Sequence, residues 1–214
     1  MASGSVAGGG ALTASTALTG SAATDSIGAL LWAWRHPRPQ AVEGRCIGHT
    51  DVRVDPRRTR RLARRIARAA RVHDLPKQIW TSPLQRCADV GRWLRRWGWL
   101  HRIDARLIEM DFGAWEGRLW GTIPRDQIDA WAHDFPGYAA SGGESVRALV
   151  VRVAAWQPPG VALLVTHAGW MRARRWNQIA GAANGGAQPR AAPLSLSAQT
   201  FPPSPAYGAL WKIR

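Results

Sequence analysis

The run Val161-Ala162-Leu163-Leu164-Val165-Thr166 constrains the fold more than any other stretch of the chain. It is apolar throughout and lacks the alternation of a strand with one wet face. It therefore reads as a central strand of a parallel sheet covered on both sides. It stops at His167. Two other stretches have the same form: Leu31-Trp32-Ala33-Trp34 ends at Arg35-His36-Pro37, and Gln78-Ile79-Trp80-Thr81-Ser82 runs into Pro83-Leu84-Gln85-Arg86. Strands of this kind separated by helical periodicity predict a three-layer α/β/α sandwich with a mostly parallel central sheet. In such sheets ligands bind beyond the carboxyl ends of the strands, which is where Arg35, His36, Arg86 and His167 fall.

Helices are expected between the strands. Asp55-Pro56 has the form of an N-cap followed by proline at the first helical position. Leu62, Ile66, Ala69 and Val72 or His73 then repeat at helical spacing. Ser82 to Gln85 has the form of a capping box, which places Arg86 in the first turn of a helix running to about Trp97. A lone cation is disfavoured at that positive end, and a bound anion would relieve the conflict. Further helices are expected over about 125–135, after Ser145, and after Gly169. Loop is expected over 37–55 and 181–191. A short strand is expected near 101–105, and weaker strands at 193–198 and 207–213. Residues 1–27, almost all Gly, Ala, Ser and Thr, are expected to be a disordered tail or the product of a start codon placed too early. The domain then spans 28–214.

The net charge of +15 comes from 27 arginines and two lysines set against 14 acidic residues. Phosphorylated small molecules, nucleic acid and lipid are the partners such a balance suggests. Eight of the arginines, from Arg57 to Arg71, fall on the helix that follows Asp55, opposite its apolar stripe. That pattern reads as a solvated face rather than a nucleic-acid site. No stretch approaches the ~18 apolar residues of a membrane span. Cys46 and Cys87 form neither a disulfide framework nor a metal spacing, so a reducing cytoplasm is the expected compartment.

The sequence has no Gly-rich phosphate loop, no acidic metal cluster and no Gly-x-Ser-x-Gly elbow. The candidate site holds histidines, arginines and carboxylates. A neutral imidazole is a competent nucleophile toward phosphorus if its other ring nitrogen is held. Arginine forks suit the phosphoryl oxygens, and a leaving alkoxide needs a proton from a nearby carboxyl group.

Five blocks carry a resemblance. They are Arg35-His36, Ser82-Pro83-Leu84-Gln85-Arg86, Leu107-Ile108-Glu109 with Gly113-Ala114-Trp115-Glu116-Gly117, Gly142-Gly143-Glu144-Ser145, and Val165-Thr166-His167-Ala168-Gly169. In this order, over about residues 29–213, the chain resembles the histidine phosphatase (phosphoglycerate-mutase-like) superfamily. Within it, Glu109 to Gly117, Asp129-Ala130-Trp131 and Gly143-Glu144-Ser145 are most similar to the alpha-ribazole-5'-phosphate phosphatases of cobalamin nucleotide-loop assembly. The resemblance implies a metal-independent phosphatase of small phosphate esters that needs no cofactor. It implies His36 as the nucleophile, Arg35 and Arg86 as phosphoryl clamps, and His167 as a second histidine donating to the same group. Glu109 is implied as the proton donor to the leaving oxygen, with Asp111 or Glu116 in that role if Glu109 merely pairs with an arginine. His49, Thr50 and Arg38 are implied substrate contacts, and Trp115 and Glu116 are implied to shape their loop. Some tryptophans near 115–135 are expected to line the pocket and stack on a flat base.

One departure stands out. The residue after the nucleophile is usually glycine in this superfamily, and here it is Pro37, which removes a backbone N–H. An extended strand end tolerates proline, so the nucleophile is expected to survive. A non-catalytic member that binds a phosphorylated ligand is the alternative that Pro37 supports.

Overall fold

The computed structural model describes Met1 and residues 30–184 and 195–214. Five strands, β1 (Leu31–Arg35), β2 (Gln78–Thr81), β3 (Leu100–Ile103), β4 (Ala162–Thr166) and β5 (Leu210–Ile213), form one sheet in the order β3-β2-β4-β1-β5. The first four run parallel, and β5 lies antiparallel to β1 at the edge. Helices α1 (Pro56–Val72), α2 (Gln85–Arg96), α3 (Arg125–His133), α4 (Val146–Ala154) and α5 (Ala168–Asn184), with short 3-10 turns at Ala105–Leu107, Gly113–Trp115 and Trp120–Thr122, complete the regular structure of the described residues. This is the mixed α/β fold with a mostly parallel sheet that the sequence predicts.

The continuous apolar strands are explained by what covers them. Side chains alternate across a strand, so Leu31 and Ala33 of β1 pack with α4 and α5, against Leu149, Val153, Trp170 and Met171. Trp32 and Trp34 go to the other face, against Leu62, Ile66, Cys87, Val90 and Leu94 of α1 and α2. β4 divides in the same way: Ala162 and Leu164 join the first core, Leu163 and Val165 the second. A smaller third cluster, built on Cys46, Trp115, Ile123 and Ala140, joins the loop after β1 to the long segment between β3 and α4. Backbone bonds between Cys46 and the 117–118 turn lock that junction at 2.8 Å in both directions.

Asp55 caps α1 through Arg57 N–H at 2.7 Å, and the eight arginines of this helix are exposed. At the end of its stripe Val72 and His73 are both exposed, and the His73 ring lies 4.8 Å from that of Trp32. The capping box expected at Ser82 does not form. α2 begins at Gln85, whose N–H is taken by the carboxylate of Asp51 at 2.8 Å, while the Ser82 hydroxyl accepts Leu84 N–H at 3.3 Å and faces His167 Nε2 at 2.8 Å. Two tail-end expectations also change. α5 continues through Asn184, so residues 181–184 of the expected loop are helical. Residues 195–198 of the expected strand at 193–198 are irregular or turn, since β5 alone occupies the edge beside β1. The expected tail (1–27, Met1 aside), the rest of that loop and positions 193–194 lie outside the described residues. No helix of the described residues is long and apolar enough to cross a membrane.

Candidate active site

Adjacent parallel strands bring the two histidines together. β1 pairs with β4 so that Arg35 lies opposite Thr166, and His36 N–H continues the ladder to Thr166 O at 3.0 Å. The next residue of each strand is therefore a histidine, and the ring centroids are 5.1 Å apart. Both rings are buried.

Hydrogen bonds fix the tautomer of each ring. His36 Nδ1 lies 2.8 Å from the carbonyl oxygen of Pro37, which can only accept. Nδ1 thus carries the proton, and Nε2 keeps its lone pair. His167 Nδ1 accepts Nε–H of Arg86 at 3.2 Å, so its Nε2–H is the donor to the Ser82 hydroxyl at 2.8 Å. Burial, followed by the positive charge of Arg86, holds both imidazoles well below the ordinary histidine value and neutral.

Arg86 stands in the first turn of α2, where a cation conflicts with the helix dipole. The loop after β1 resolves the conflict by turning carbonyls toward it: Nη1 donates to Thr50 O at 2.8 Å and Nη2 to Gly48 O at 2.5 Å. That loop is in turn clamped by Glu116. Its carboxylate accepts the N–H groups of Gly48 (3.1 Å), His49 (2.7 Å), Thr50 (3.0 Å) and Phe112 (3.1 Å), and the Thr50 hydroxyl (2.5 Å). Burial alone would raise the Glu116 carboxyl. The Thr50 hydroxyl and these N–H groups outweigh it and hold it below the usual range.

Arg35 lies over Tyr207, its guanidinium carbon 3.8 Å from the ring centre, and Nη1 donates to Pro205 O at 2.7 Å. Its Nε is buried with no acceptor among the described residues. Glu109 is buried and gripped by main chain: Oε1 accepts Met110 N–H (3.0 Å) and Trp170 N–H (3.2 Å), and Oε2 accepts Gly169 N–H (3.1 Å). The positive end of α5 thus holds this carboxylate in place.

Arg35, His36, Arg86 and Glu109 line one cavity of about 430 Å³, together with Arg172, Trp120, Trp131, Phe135 and Phe201. His167 stands behind this floor and contacts Arg86, not the open space. Its two ring nitrogens are engaged by Arg86 and Ser82, whereas the resemblance implies a direct donor to the phosphoryl group. The three implied substrate contacts are elsewhere. Arg38 is exposed and pairs with Glu43 at 2.9 Å. His49 Nε2 lies 2.9 Å from Glu109 O, and the Thr50 hydroxyl serves Glu116. None of the three lines the cavity. Asp111 accepts Gly113 N–H at 2.8 Å, in the loop.

Sequence reasoning missed Tyr207 and Arg172. Tyr207 reaches Arg35 and His36 only because β5 pairs antiparallel with β1, and nothing near position 207 signals that. Arg172 follows His167 by five residues on α5, and its position just past the first turn was a usable signal. Its half-buried guanidinium stacks on Phe201, 4.4 Å from the ring centre, and donates to Pro202 O.

Residues 31–201 match the histidine phosphatase superfamily (branch 1). Among solved structures, a phosphoglycerate mutase from Thermus thermophilus is similar at 31% identity and a TM-score of 0.54, over 70% of this chain and 84% of that one. A mycobacterial glucosyl-3-phosphoglycerate phosphatase is similar at 27% identity and a TM-score of 0.54, over 68% of this chain and 76% of that one. No curated protein matches. With a family match that spans most of its length, this chain belongs to the histidine phosphatase superfamily.

Proposed function

We propose that the protein is a metal-independent phosphomonoesterase working through a phosphohistidine at Nε2 of His36. The observation that carries this reading is the state of His36: neutral, its Nδ1–H tied to Pro37 O, and its ring on the cavity wall beside Arg35, Arg86 and Glu109. Nε2 attacks phosphorus while the two guanidinium groups hold the phosphoryl oxygens. The P–O bond to the alcohol breaks, and the leaving oxygen takes its proton from Glu109. Water, losing a proton to the Glu109 carboxylate, then cleaves the P–N bond and frees His36 as orthophosphate forms. Pro37 supplies the carbonyl that orients the nucleophile, which favours a working enzyme over a binding-only relative. Two free, buried cysteines suit a reducing cytoplasm.

The substrate we favour is alpha-ribazole 5'-phosphate, or the corresponding cobalamin 5'-phosphate. Its flat benzimidazole suits a wall on which Trp120 and Trp131 stack at 6.0 Å and 11°. A second reading is favoured by Arg172, a half-buried cation on the same wall with no carboxylate partner among the described residues. It suits an acidic leaving group, of the kind named for the mycobacterial phosphatase.

A panel of phosphate esters assayed with EDTA present separates these readings. It contains alpha-ribazole 5'-phosphate, glucosyl-3-phosphoglycerate and p-nitrophenyl phosphate. The expected result is turnover that resists EDTA, is fastest on alpha-ribazole 5'-phosphate, and falls by at least about 10³-fold in His36→Ala. Preference for the glyceric ester supports the second reading. Activity that survives in His36→Ala, or no turnover of any ester, overturns the phosphohistidine mechanism.

A further inference from the structure

The Gly142-Gly143-Glu144-Ser145 block contributes no side chain to the cavity, yet it is built tightly into the molecule. Ser145 caps α4 through Ala148 N–H at 3.2 Å, and Glu144 N–H binds Asp111 O at 2.8 Å. The Glu144 carboxylate then meets Arg152, two turns further along α4, in a two-point pair: Nε to Oε1 at 2.9 Å and Nη2 to Oε2 at 2.8 Å. The guanidinium does not stop there. Nη1 donates to Arg106 O and Ile108 O, both at 3.1 Å, and Nη2 donates to Glu109 O at 3.2 Å. All five N–H groups of Arg152 have an acceptor. The pair is mostly buried, with side-chain exposures of 24% and 15%.

The segment it holds needs such a partner. Residues 106–109 leave a 3-10 turn at Leu107 and enter extended backbone at Ile108, so neither a helix nor a sheet takes up their carbonyls. Among the described residues, side chains do this: Arg152 for three of the four carbonyls, those of Arg106, Ile108 and Glu109, the Thr166 hydroxyl for Leu107 O at 2.7 Å, with Trp170 Nε1 also on Arg106 O and His49 on Glu109 O. Glu109 is therefore fixed twice, its carboxylate by backbone N–H groups near the start of α5 and its main chain by the Arg152 fork. A planar, fully bonded guanidinium is a rigid brace.

We infer that Arg152, oriented by Glu144, is a positioning residue that sets where the Glu109 carboxyl delivers its proton. This rests on the reading of Glu109 as proton donor to the leaving oxygen. Small misplacements of a catalytic group are costly in rate. The loss falls only on reactions that need the proton.

The test compares kcat/KM, which reports the steps up to alcohol release, for two esters in four proteins. Glycerol 2-phosphate has a poor leaving group that requires protonation; p-nitrophenyl phosphate releases a phenolate that does not. Wild type, Glu109→Gln, Arg152→Lys and Glu144→Gln are measured, with thermal melts confirming folding and orthophosphate inhibition reporting the anion site. Arg152→Lys keeps the charge without the fork, and Glu144→Gln keeps the shape without the charge. Expected for both is a loss on the order of 30-fold on the alkyl ester, at most about threefold on the aryl ester, and unchanged orthophosphate inhibition. Glu109→Gln shows the same pattern at about 10²-fold or more. If Glu109→Gln shows the pattern but both brace variants lose equally on the two esters, or lose on neither, the inference fails alone. If Glu109→Gln itself shows no dependence on leaving group, the role of Glu109 fails and the inference falls with it.

Discussion

Arg86 donates its Nε–H to Nδ1 of His167 across 3.2 Å, with both side chains buried. A guanidinium does not give up its proton in a protein. The imidazole must therefore accept at Nδ1, and it stays neutral for as long as the contact lasts. The same arginine reaches the loop carbonyls of Gly48 and Thr50, so one side chain ties three segments of the chain together.

A pH dependence of stability follows. His36 and His167 are held neutral in the folded state by burial and then by Arg86, whereas the unfolded chain takes up protons near the ordinary value of about 6.5. Below that pH the unfolded state binds more protons, so stability falls as pH drops; above it the contribution is fully present. Each histidine contributes a slope of about 1.4 kcal/mol per pH unit in that window. Urea midpoints between about pH 7.5 and 5.5 check this. His101, lowered chiefly by burial, adds a slope of the same sign. His167→Gln should flatten the curve, and an unchanged curve would contradict the assignment.

Glu116 is expected to matter for stability and for phosphate affinity together. Glu116→Gln replaces one acceptor oxygen by an amide that faces N–H donors. A loss of about 2 kcal/mol is expected, seen as a Tm lower by roughly 5 °C. Because the 48–50 loop carries the carbonyls that hold Arg86, inhibition by orthophosphate should weaken in the same variant. A drop in Tm with inhibition unchanged would uncouple the loop from the anion site.

Gly169→Ala should lose activity while an ordinary helix would gain stability. Alanine is favoured over glycine by about 1 kcal/mol inside a helix. At this position, however, a Cβ would collide with Glu109 Oε1, so the carboxylate must move. Turnover of an alkyl phosphate is expected to fall about tenfold, measured as kcat/KM beside the melting temperature. Activity retained at the wild-type level would show that the Glu109 position is not critical.

Pro37→Gly keeps the carbonyl that binds His36 Nδ1 and adds an N–H. Activity within a few-fold of wild type, or above it, is expected. Stability should fall by about 1 kcal/mol, because the unfolded chain gains freedom. Steady-state kinetics and urea denaturation check both halves. A collapse of kcat would mean that the proline ring, rather than its carbonyl, orients the nucleophile.

The features legible in the sequence were those whose cause is local. The continuous apolar runs of β1 and β4 announce strands buried on both faces, and Asp55-Pro56 announces a capped helix. His36 and His167 could be placed side by side because each ends such a run. The start of α2 departs from the expected capping box because the Ser82 hydroxyl serves Leu84 N–H and a histidine 85 residues away, while Gln85 N–H goes to Asp51. Arg38, His49 and Thr50 sit on the expected loop, but where their side chains turn depends on Glu43, Glu109 and Glu116, which no spacing rule reports. Tyr207 and Arg172 enter the cavity wall through strand pairing and helix rotation, which are properties of the assembled sheet.

The buried Nε of Arg35 has no acceptor among the described residues, and a buried donor without one is costly. A tetrahedral oxyanion within reach of that nitrogen would relieve the cost, and on the proposed phosphatase reading the released orthophosphate brings the same oxygens as the group transferred. Self-inhibition is the expected consequence of that reading: progress curves are expected to bend before substrate runs short, with the rate tracking the ratio of ester to free phosphate rather than the amount of ester alone.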